Sequence, residues 1–256
     1  FKKIKPVICY AVKANFNKKI LNLVAKLGIG ADVVSKGELE QSISCNINRK
    51  KIVFSGVGKT EDEIIYALKK DIKQINVESE EELQDITRLA SNIGKKVDVS
   101  LRLNPDIDPE THSKISTGRL EDKFGITEDR INNIFKKYSN DSNLNINGIS
   151  IHIGSQIKKI SPFEKAFKKV RNLVINLRAM GYTINTVDIG GGIGIVYDKE
   201  KDKIFKVSDY ANIVEKYFYD LGVEIILEPG RYLVGSSGIL ISKVVRIKKG
   251  QKKDFL

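Results

Sequence analysis

A chain of 256 residues, 41% of them hydrophobic, can bury a sizeable core without covalent staples, and its two cysteines, Cys9 and Cys45, lie outside any CxxC spacing, which excludes a disulfide framework and a zinc ribbon. Two histidines, His112 and His152, are too few for a His-rich metal site, and no apolar run approaches the ~20 residues of a membrane span, so neither a metal nor a membrane partner is expected. The formal charge of +12 invites nucleic acid, but only nine of the 44 basic residues are Arg and the lysines fall in scattered pairs such as Lys18-Lys19 and Lys136-Lys137, the pattern of solvated helix faces, so no nucleic-acid partner is expected.

Short Val- and Ile-rich runs alternate with helical patterns along the chain. Strands are predicted at 6–12, 29–34, 51–55, 74–77, 97–103, 146–153, 186–189 and 223–227. Helices are predicted at 17–27, from 36, and at 60–70, 79–93, 128–137, 161–180 and 208–221, with no clear helix after the eighth strand. Repeated strand–helix units imply a parallel sheet with right-handed crossovers. Eight near-equal units close naturally, which favours an α/β fold of the (β/α)8 TIM-type barrel class over an open doubly wound sheet. After Pro229 the pattern changes: 238–247 reads as a long alternating strand and 248–253 as a charged turn. The expected division is a barrel over 1–235 and, over 236–256, the entrance to a C-terminal β-domain that the sequence does not contain. The chain begins with Phe1 rather than Met, shows no signal-peptide apolar core and keeps free thiols, and a cytoplasmic location is expected.

In such a barrel the chemistry sits at the C-terminal ends of the strands. Those ends carry Lys13, Asp32, Arg102, Asn104, His152, Ser155, Asp188 and Glu228, together with glycine turns at 190–192 and Gly230. Three consecutive glycines let a backbone approach an anion unobstructed, although a lone glycine pair would be read as a plain tight turn. The dinucleotide fingerprint GxGxxG fails, because Ile195 stands three residues after Gly192. A P-loop is mimicked by Gly58-Lys59-Thr60, but Val53 occupies the place of the first glycine, and Thr60 with Glu63 reads instead as a helix capping box. Lys13 follows an apolar strand, where a solvated ammonium is out of place; a lysine at a barrel mouth, its pKa lowered by burial, suits Schiff-base chemistry. His152 alone is ordinarily a satisfied core histidine, and Glu228 alone a structural carboxylate. Lysine, anion-binding glycines and an acid together imply a phosphorylated aldehyde cofactor, pyridoxal 5'-phosphate.

At these residues the sequence resembles the diaminopimelate decarboxylase family of fold-type III pyridoxal phosphate enzymes. The matching stretches are Tyr10-Ala11-Val12-Lys13-Ala14-Asn15, Gly30-Ala31-Asp32-Val33-Val34-Ser35, Arg102-Leu103-Asn104-Pro105, Thr111-His112, Ile115-Ser116-Thr117-Gly118, Lys123-Phe124-Gly125-Ile126, His152-Ile153-Gly154-Ser155-Gln156, the glycines from 190, and Glu228-Pro229-Gly230-Arg231. Lys36 departs from the family's usual Gly. The resemblance implies an alanine racemase-like barrel in which Lys13, His152 and Glu228 are catalytic. It implies that Lys13 joins the cofactor covalently, that His152 stacks on its ring and that Glu228 meets the ring nitrogen. Ser155, Gly191, Gly192, Pro229, Gly230 and Arg231 complete the cofactor site, and the Arg231 side chain reaches the substrate. The implied reaction is decarboxylation of meso-2,6-diaminopimelate to L-lysine and CO2, the last step of lysine biosynthesis, in a homodimer with its active site at the subunit interface. The family's catalytic cysteine lies in the C-terminal β-domain; Cys9 and Cys45 do not occupy its motif. The 256 residues alone are therefore expected to bind cofactor with little turnover. An ornithine- or arginine-type decarboxylase and a non-catalytic cofactor-binding barrel are the alternatives.

Overall fold

The computed structural model of the protein describes residues 1–109, 117–119, 122–200 and 202–256. Eight strands pair in sequence order into a closed barrel: β1 Val7–Ala11, β2 Gly30–Val33, β3 Ile52–Phe54, β4 Gln74–Val77, β5 Val97–Arg102, β6 Leu144–Ser150, β7 Thr186–Asp188 and β8 Glu224–Leu227. All pairs are parallel, and β8 returns to β1 with Val7 opposite Ile226, so no sheet edge is left open. Around them lie α1 Lys18–Lys26, α2 Lys36–Ser44, α3 Glu61–Lys70, α4 Glu80–Asn92, α5 Glu128–Tyr138, α6 Ser161–Ala179, α7 Val207–Phe218 and the short α8 Arg231–Val234. The expected TIM-type architecture is thus observed, and a single helical turn follows β8 where no clear helix was predicted.

The helices begin where the sequence supplies caps. Thr60 and Glu63 form the capping box of α3, while Ser35 and Ser79 accept the backbone N–H of Glu38 and Glu82 at the starts of α2 and α4. The strands bury both faces, and successive side chains alternate between them. One set, including Tyr10, Phe54, Ile75, Leu101 and Val187, joins the helices in one continuous apolar cluster. On α6 and α7 this layer is aromatic: Phe163 meets Tyr210 edge-on at 5.0 Å and Phe167 meets Phe218 at 5.5 Å. The other set points into the barrel. There Cys9, Val53 and Ile226 form a small apolar plug. The interior around it is polar, with Asp32, Gln74, Asn76, Ser100, Asp188 and Glu228 all buried.

The strand predicted at 238–247 is not formed: these residues carry no strand assignment and are exposed, Leu240 by 97%. Alternating apolar residues prefer a strand, but a strand also needs a neighbour for its hydrogen bonds, and none of the described strands pairs with this segment. The tail's one bridge joins Lys248 to Phe255, antiparallel. Among the described residues no helix is long and apolar enough to cross a membrane.

Candidate active site

Lys13 sits in a 3-10 turn, Val12–Ala14, that continues directly from β1. The turn is fixed from below by Tyr10, whose hydroxyl donates to Asn15 O at 2.9 Å, and from β8 by Ala11 N donating to Pro229 O at 3.1 Å. The Lys13 ammonium therefore projects over the barrel mouth, where two lobes of a cavity meet. One lobe, of about 680 Å3, runs past Gln156, Gly192, Gly230 and Arg231. The other, of about 450 Å3, runs past Ser55, Asn76, Arg102 and Phe124. Lys13, His152, Ser155 and Glu228 line both.

The electrostatics of the mouth are set by three buried acids. Lys13 Nζ donates to Asp32 Oδ2 at 2.8 Å, and the other Asp32 oxygen, buried, has no hydrogen-bond partner among the described residues. Burial penalises the Lys13 ammonium, but Asp32 and Glu228 outweigh that penalty and hold its pKa above the ordinary lysine value. The sequence-based expectation of a lowered lysine pKa is corrected here, because the sequence did not show that two carboxylates would converge on the same ammonium. Glu228 and Asp188 are joined by a side-chain hydrogen bond inside the barrel. Asn76 Nδ2 bridges them, lying 2.9 Å from Asp188 Oδ2 and 3.3 Å from Glu228 Oε1. Burial, then the neighbouring charges of Asp188 and Asp32, push the Glu228 pKa well up, and burial raises Asp188 to about 6. Asp188 also accepts Gly190 N at 3.0 Å and Glu228 accepts Ser55 Oγ at 3.2 Å, so both acids sit in a donor-lined, buried pair whose pKa values are both raised.

His152 lies at the end of β6, and its Nδ1 accepts the backbone N–H of Gly191 at 3.2 Å. Burial, then Arg102 and Lys13, hold its pKa well below the ordinary histidine value, so the imidazole is neutral with its proton on Nε2. The glycine run has two duties. Any Cβ at Gly191 would lie 2.2 Å from Glu228 O, and one at Gly192, where φ is +98°, would lie 2.4 Å from Gly154 O, so close backbone approach alone demands glycine. The Gly190 and Gly191 amides already serve Asp188 and His152. A Cβ at Gly230, at the start of α8, would lie 3.0 Å from the Ala11 Cβ, a looser fit, and Arg231 Nη1 lies 3.5 Å from Gln156 Oε1 at the rim.

All nine site residues expected from the sequence converge on this mouth or its immediate frame. Thr111, His112, Ile115 and Ser116 lie outside the described residues. Lys36 opens α2 with its ammonium 5.4 Å from the Tyr66 ring centroid, on the outer surface. Cys9 belongs to the barrel plug and Cys45 caps α2; both are buried thiols. Sequence reasoning did not assign roles to Asp32, Ser55, Asn76 or Asp188. A usable signal was present: each polar residue breaks an apolar strand at an inward position, next to an outward Ala31, Phe54, Ile75 or Val187. Among the described residues no cluster of His, Cys, Asp and Glu is arranged to hold a metal ion.

The site fits a flat, anionic, aldehyde-bearing cofactor on its own geometry. It pairs a lysine with an unpartnered buried carboxylate oxygen, a neutral imidazole and a carboxyl whose pKa burial pushes well up, at the junction of the two lobes, with Arg231 as a cation in the larger one. A family profile described as "Pyridoxal-dependent decarboxylase, pyridoxal binding domain" matches residues 1–235. The chain is 41% identical over 252 residues to a diaminopimelate decarboxylase of Zymomonas mobilis, covering 98% of this chain and 60% of that protein. It is 44% identical over 250 residues to one of Vibrio cholerae, with 97% and 60% covered. A solved Helicobacter pylori diaminopimelate decarboxylase complexed with L-lysine superposes with a TM-score of 0.91 at 42% identity, over 97% of this chain and 63% of that one. The chain thus spans about 60% of the length of the curated relatives it matches.

Proposed function

Because the chain belongs to the family of pyridoxal-binding domains of pyridoxal-dependent decarboxylases, we propose that it is the cofactor barrel of an enzyme that decarboxylates meso-2,6-diaminopimelate to L-lysine and CO2. The observation that carries this reading is the meeting of Lys13, His152, Ser155 and Glu228 at the junction of the two cavity lobes. Relatives named diaminopimelate decarboxylase at 40–44% identity, one of them solved with L-lysine, favour it over an ornithine- or arginine-type enzyme.

Pyridoxal phosphate supplies, when bound, an aldehyde for an amine and a ring that accepts electron density from a breaking carbon–carbon bond. The chain's residues supply the rest. Lys13 must shed a proton before its amine can attack an aldehyde, and Asp32, 2.8 Å away with one oxygen unpartnered, is placed to take it. Glu228, whose pKa burial pushes well up, would face the ring nitrogen of the bound cofactor and, as a carboxylate there, would favour a proton on that nitrogen. His152 offers a flat neutral face held in plane by Gly191 N. Ser155, Gly192, Pro229, Gly230 and Arg231 frame the larger lobe, where a phosphate and a substrate carboxylate would lie, with Arg231 as a cation there and Gly191 packed behind it on Glu228 O. A homodimer with the site at the subunit interface and a cytoplasmic location complete the proposal; the two free buried thiols suit a reducing compartment. The division into a barrel over 1–235 and a following β-domain is supported by the end of the family match at 235 and by the exposed apolar tail.

The test is a titration of the 256-residue chain with pyridoxal phosphate, followed by borohydride reduction and peptide mapping, with CO2 release from meso-2,6-diaminopimelate assayed on the longer protein. Label on the Lys13 peptide and release of CO2 are expected. Absence of label, or label on another lysine, would overturn the assignment of the site; label without CO2 release would overturn the reaction.

A further inference from the structure

Lys59 belongs to Gly58-Lys59-Thr60, whose lysine would face a phosphate in a nucleotide-binding loop. Here it points into the protein. Its side chain is 1% exposed, and its Nζ donates to Gly56 O at 2.7 Å, to Asn76 O at 2.9 Å and to Glu82 Oε1 at 2.6 Å. An ammonium has three protons, and each finds an acceptor, so no donor remains for a ligand. A lysine this deep is retained at a desolvation cost, which raises the question of what its contacts hold in place.

Two arms lead from it to the mouth. The short arm runs through Asn76, at the end of β4: Lys59 holds its carbonyl, while its side chain bridges Asp188 and Glu228. The long arm runs through Glu82, the third residue of α4, whose Oε2 accepts Glu78 N at 2.7 Å. The Glu78 carboxylate receives Arg102 Nη1 at 2.5 Å and Gly125 N at 3.0 Å. Arg102 in turn donates from Nη2 to His152 O at 3.2 Å and lies 4.9 Å from the Phe124 ring centroid. Two cations, Lys59 and Arg102, flank two adjacent carboxylates, Glu82 and Glu78, along this arm, so their formal charges cancel inside the protein.

We infer that Lys59 is a positioning residue that fixes the ends of β4 and β5, so that Glu228 and His152 face the cavity in the arrangement pyridoxal phosphate requires. The inference rests on the function proposed above. Neither arm passes through the cavity; each reaches it only through residues that line it, Asn76 on one side and Arg102 with His152 on the other. A displacement at Lys59 therefore reaches the acid pair and the imidazole together.

The experiment compares wild type, Lys59→Met and Lys59→Met/Glu82→Gln in the 256-residue chain. Affinity for pyridoxal phosphate and the absorbance band of the bound cofactor are followed across pH, with circular dichroism reporting the fold. Lys59→Met keeps the aliphatic stem and leaves Glu82 facing only Glu78 among its charged neighbours. Burial already holds the Glu82 pKa up against the pull of Lys59, and without that ammonium its titration moves further up. The single variant should bind the cofactor about tenfold more weakly or worse, the equivalent of about one charge-assisted hydrogen bond, and its affinity should fall further as Glu82 ionises with rising pH. The double variant removes the unpaired charge and with it the pH dependence. It should remain weaker than wild type with a shifted band, because Asn76 O and Gly56 O still lack their donor. If the single variant does not fold, the double variant alone carries the comparison. A folded double variant with wild-type affinity and band overturns the inference and leaves the proposed function standing; a wild type that binds no cofactor overturns both.

Discussion

Toward the helices, Phe54, Ile75, Leu101 and Val187 sit in one apolar layer, whereas the inward neighbours of the same residues are Ser55, Asn76, Arg102 and Asp188. The outer face is stabilised by burial, at roughly 25 cal/mol per Å2 of apolar surface, and its partners are interchangeable within the limits of packing. The inner face has only the plug of Cys9, Val53 and Ile226 to gain from burial. Its polar groups must satisfy one another, and a buried polar group without a partner costs about 1–3 kcal/mol. Eight strands thus carry two loads: the outer one sets stability, and the inner one sets which protons and charges face the mouth. Substitutions should separate them.

The largest effect is expected at Lys13. Lys13→Ala removes the amine that borohydride would fix to pyridoxal phosphate, so labelling at this position should vanish completely, and mass mapping of the reduced protein checks it. The outer layer is untouched by this change, and the helical circular dichroism signal should persist. Asp32 would then be a buried carboxylate without its ammonium, so the variant should also lose stability in urea.

The opposite dissection is Phe167→Ala. Phe167 is fully buried between α6 and α7 against Phe163, Tyr210 and Phe218, in the outer aromatic layer. A cavity of this size should cost about 3–5 kcal/mol of unfolding free energy. The folded fraction should still bind pyridoxal phosphate with the wild-type absorbance band. A changed band at full folding would show that the two faces are not independent.

A smaller effect tests the inner face by pH. Asp188 has its pKa raised to about 6 from the ordinary 3.8, chiefly by burial. Between these values the folded chain holds a proton that the unfolded chain has released, so this contribution to stability is complete at acid pH and is lost as pH rises toward 6. Glu228, pushed up as well, extends the loss to higher pH. Asp188→Asn keeps an acceptor for Gly190 N and removes the charge, so the variant should show a flatter dependence and gain on wild type by on the order of 2 kcal/mol at neutral pH. Urea titrations of the cofactor-free proteins at pH 4 and pH 7 give the answer; an unchanged slope would show that Asp188 does not carry this pH dependence.

How far the sequence disclosed all this follows the same two faces. The outer residues recur with strand and helix periods, so the eight strands, the seven longer helices and the closed barrel were legible from the Val- and Ile-rich runs and their spacing. Lys13, His152, Ser155 and Glu228 were legible because strand ends mark the mouth and because their blocks resemble a known family. The Lys13 pKa was not, since it depends on Asp32 and Glu228 approaching from β2 and β8, which no local pattern encodes. The strand at 238–247 failed for a related reason: alternation describes one chain's preference, while a strand is a property of two. Lys59 shows the reverse case, where a phosphate-binding signature in sequence becomes a buried strut once the carbonyls of Gly56 and Asn76 are in place.

The smallest change in stability, with a large change in behaviour, is expected in the tail. Ile239, Leu240 and Ile241 are 86%, 97% and 83% exposed, so they belong to neither face and contribute almost nothing to the folded barrel. Replacing Ile239 and Ile241 by Lys should shift unfolding free energy by less than about 0.5 kcal/mol, as for other exposed positions. Yet an apolar segment with unpaired backbone groups is a template for association, and charge on such an edge suppresses it. The wild-type chain should therefore self-associate with rising concentration, and Ile239→Lys/Ile241→Lys should reduce that association while its thermal midpoint stays put. Sedimentation velocity over a concentration series separates the outcomes. Association unaffected by the lysines would place the sticky surface on the barrel itself, and a lowered midpoint would mean that the tail, despite its exposure, packs on the outer layer in solution.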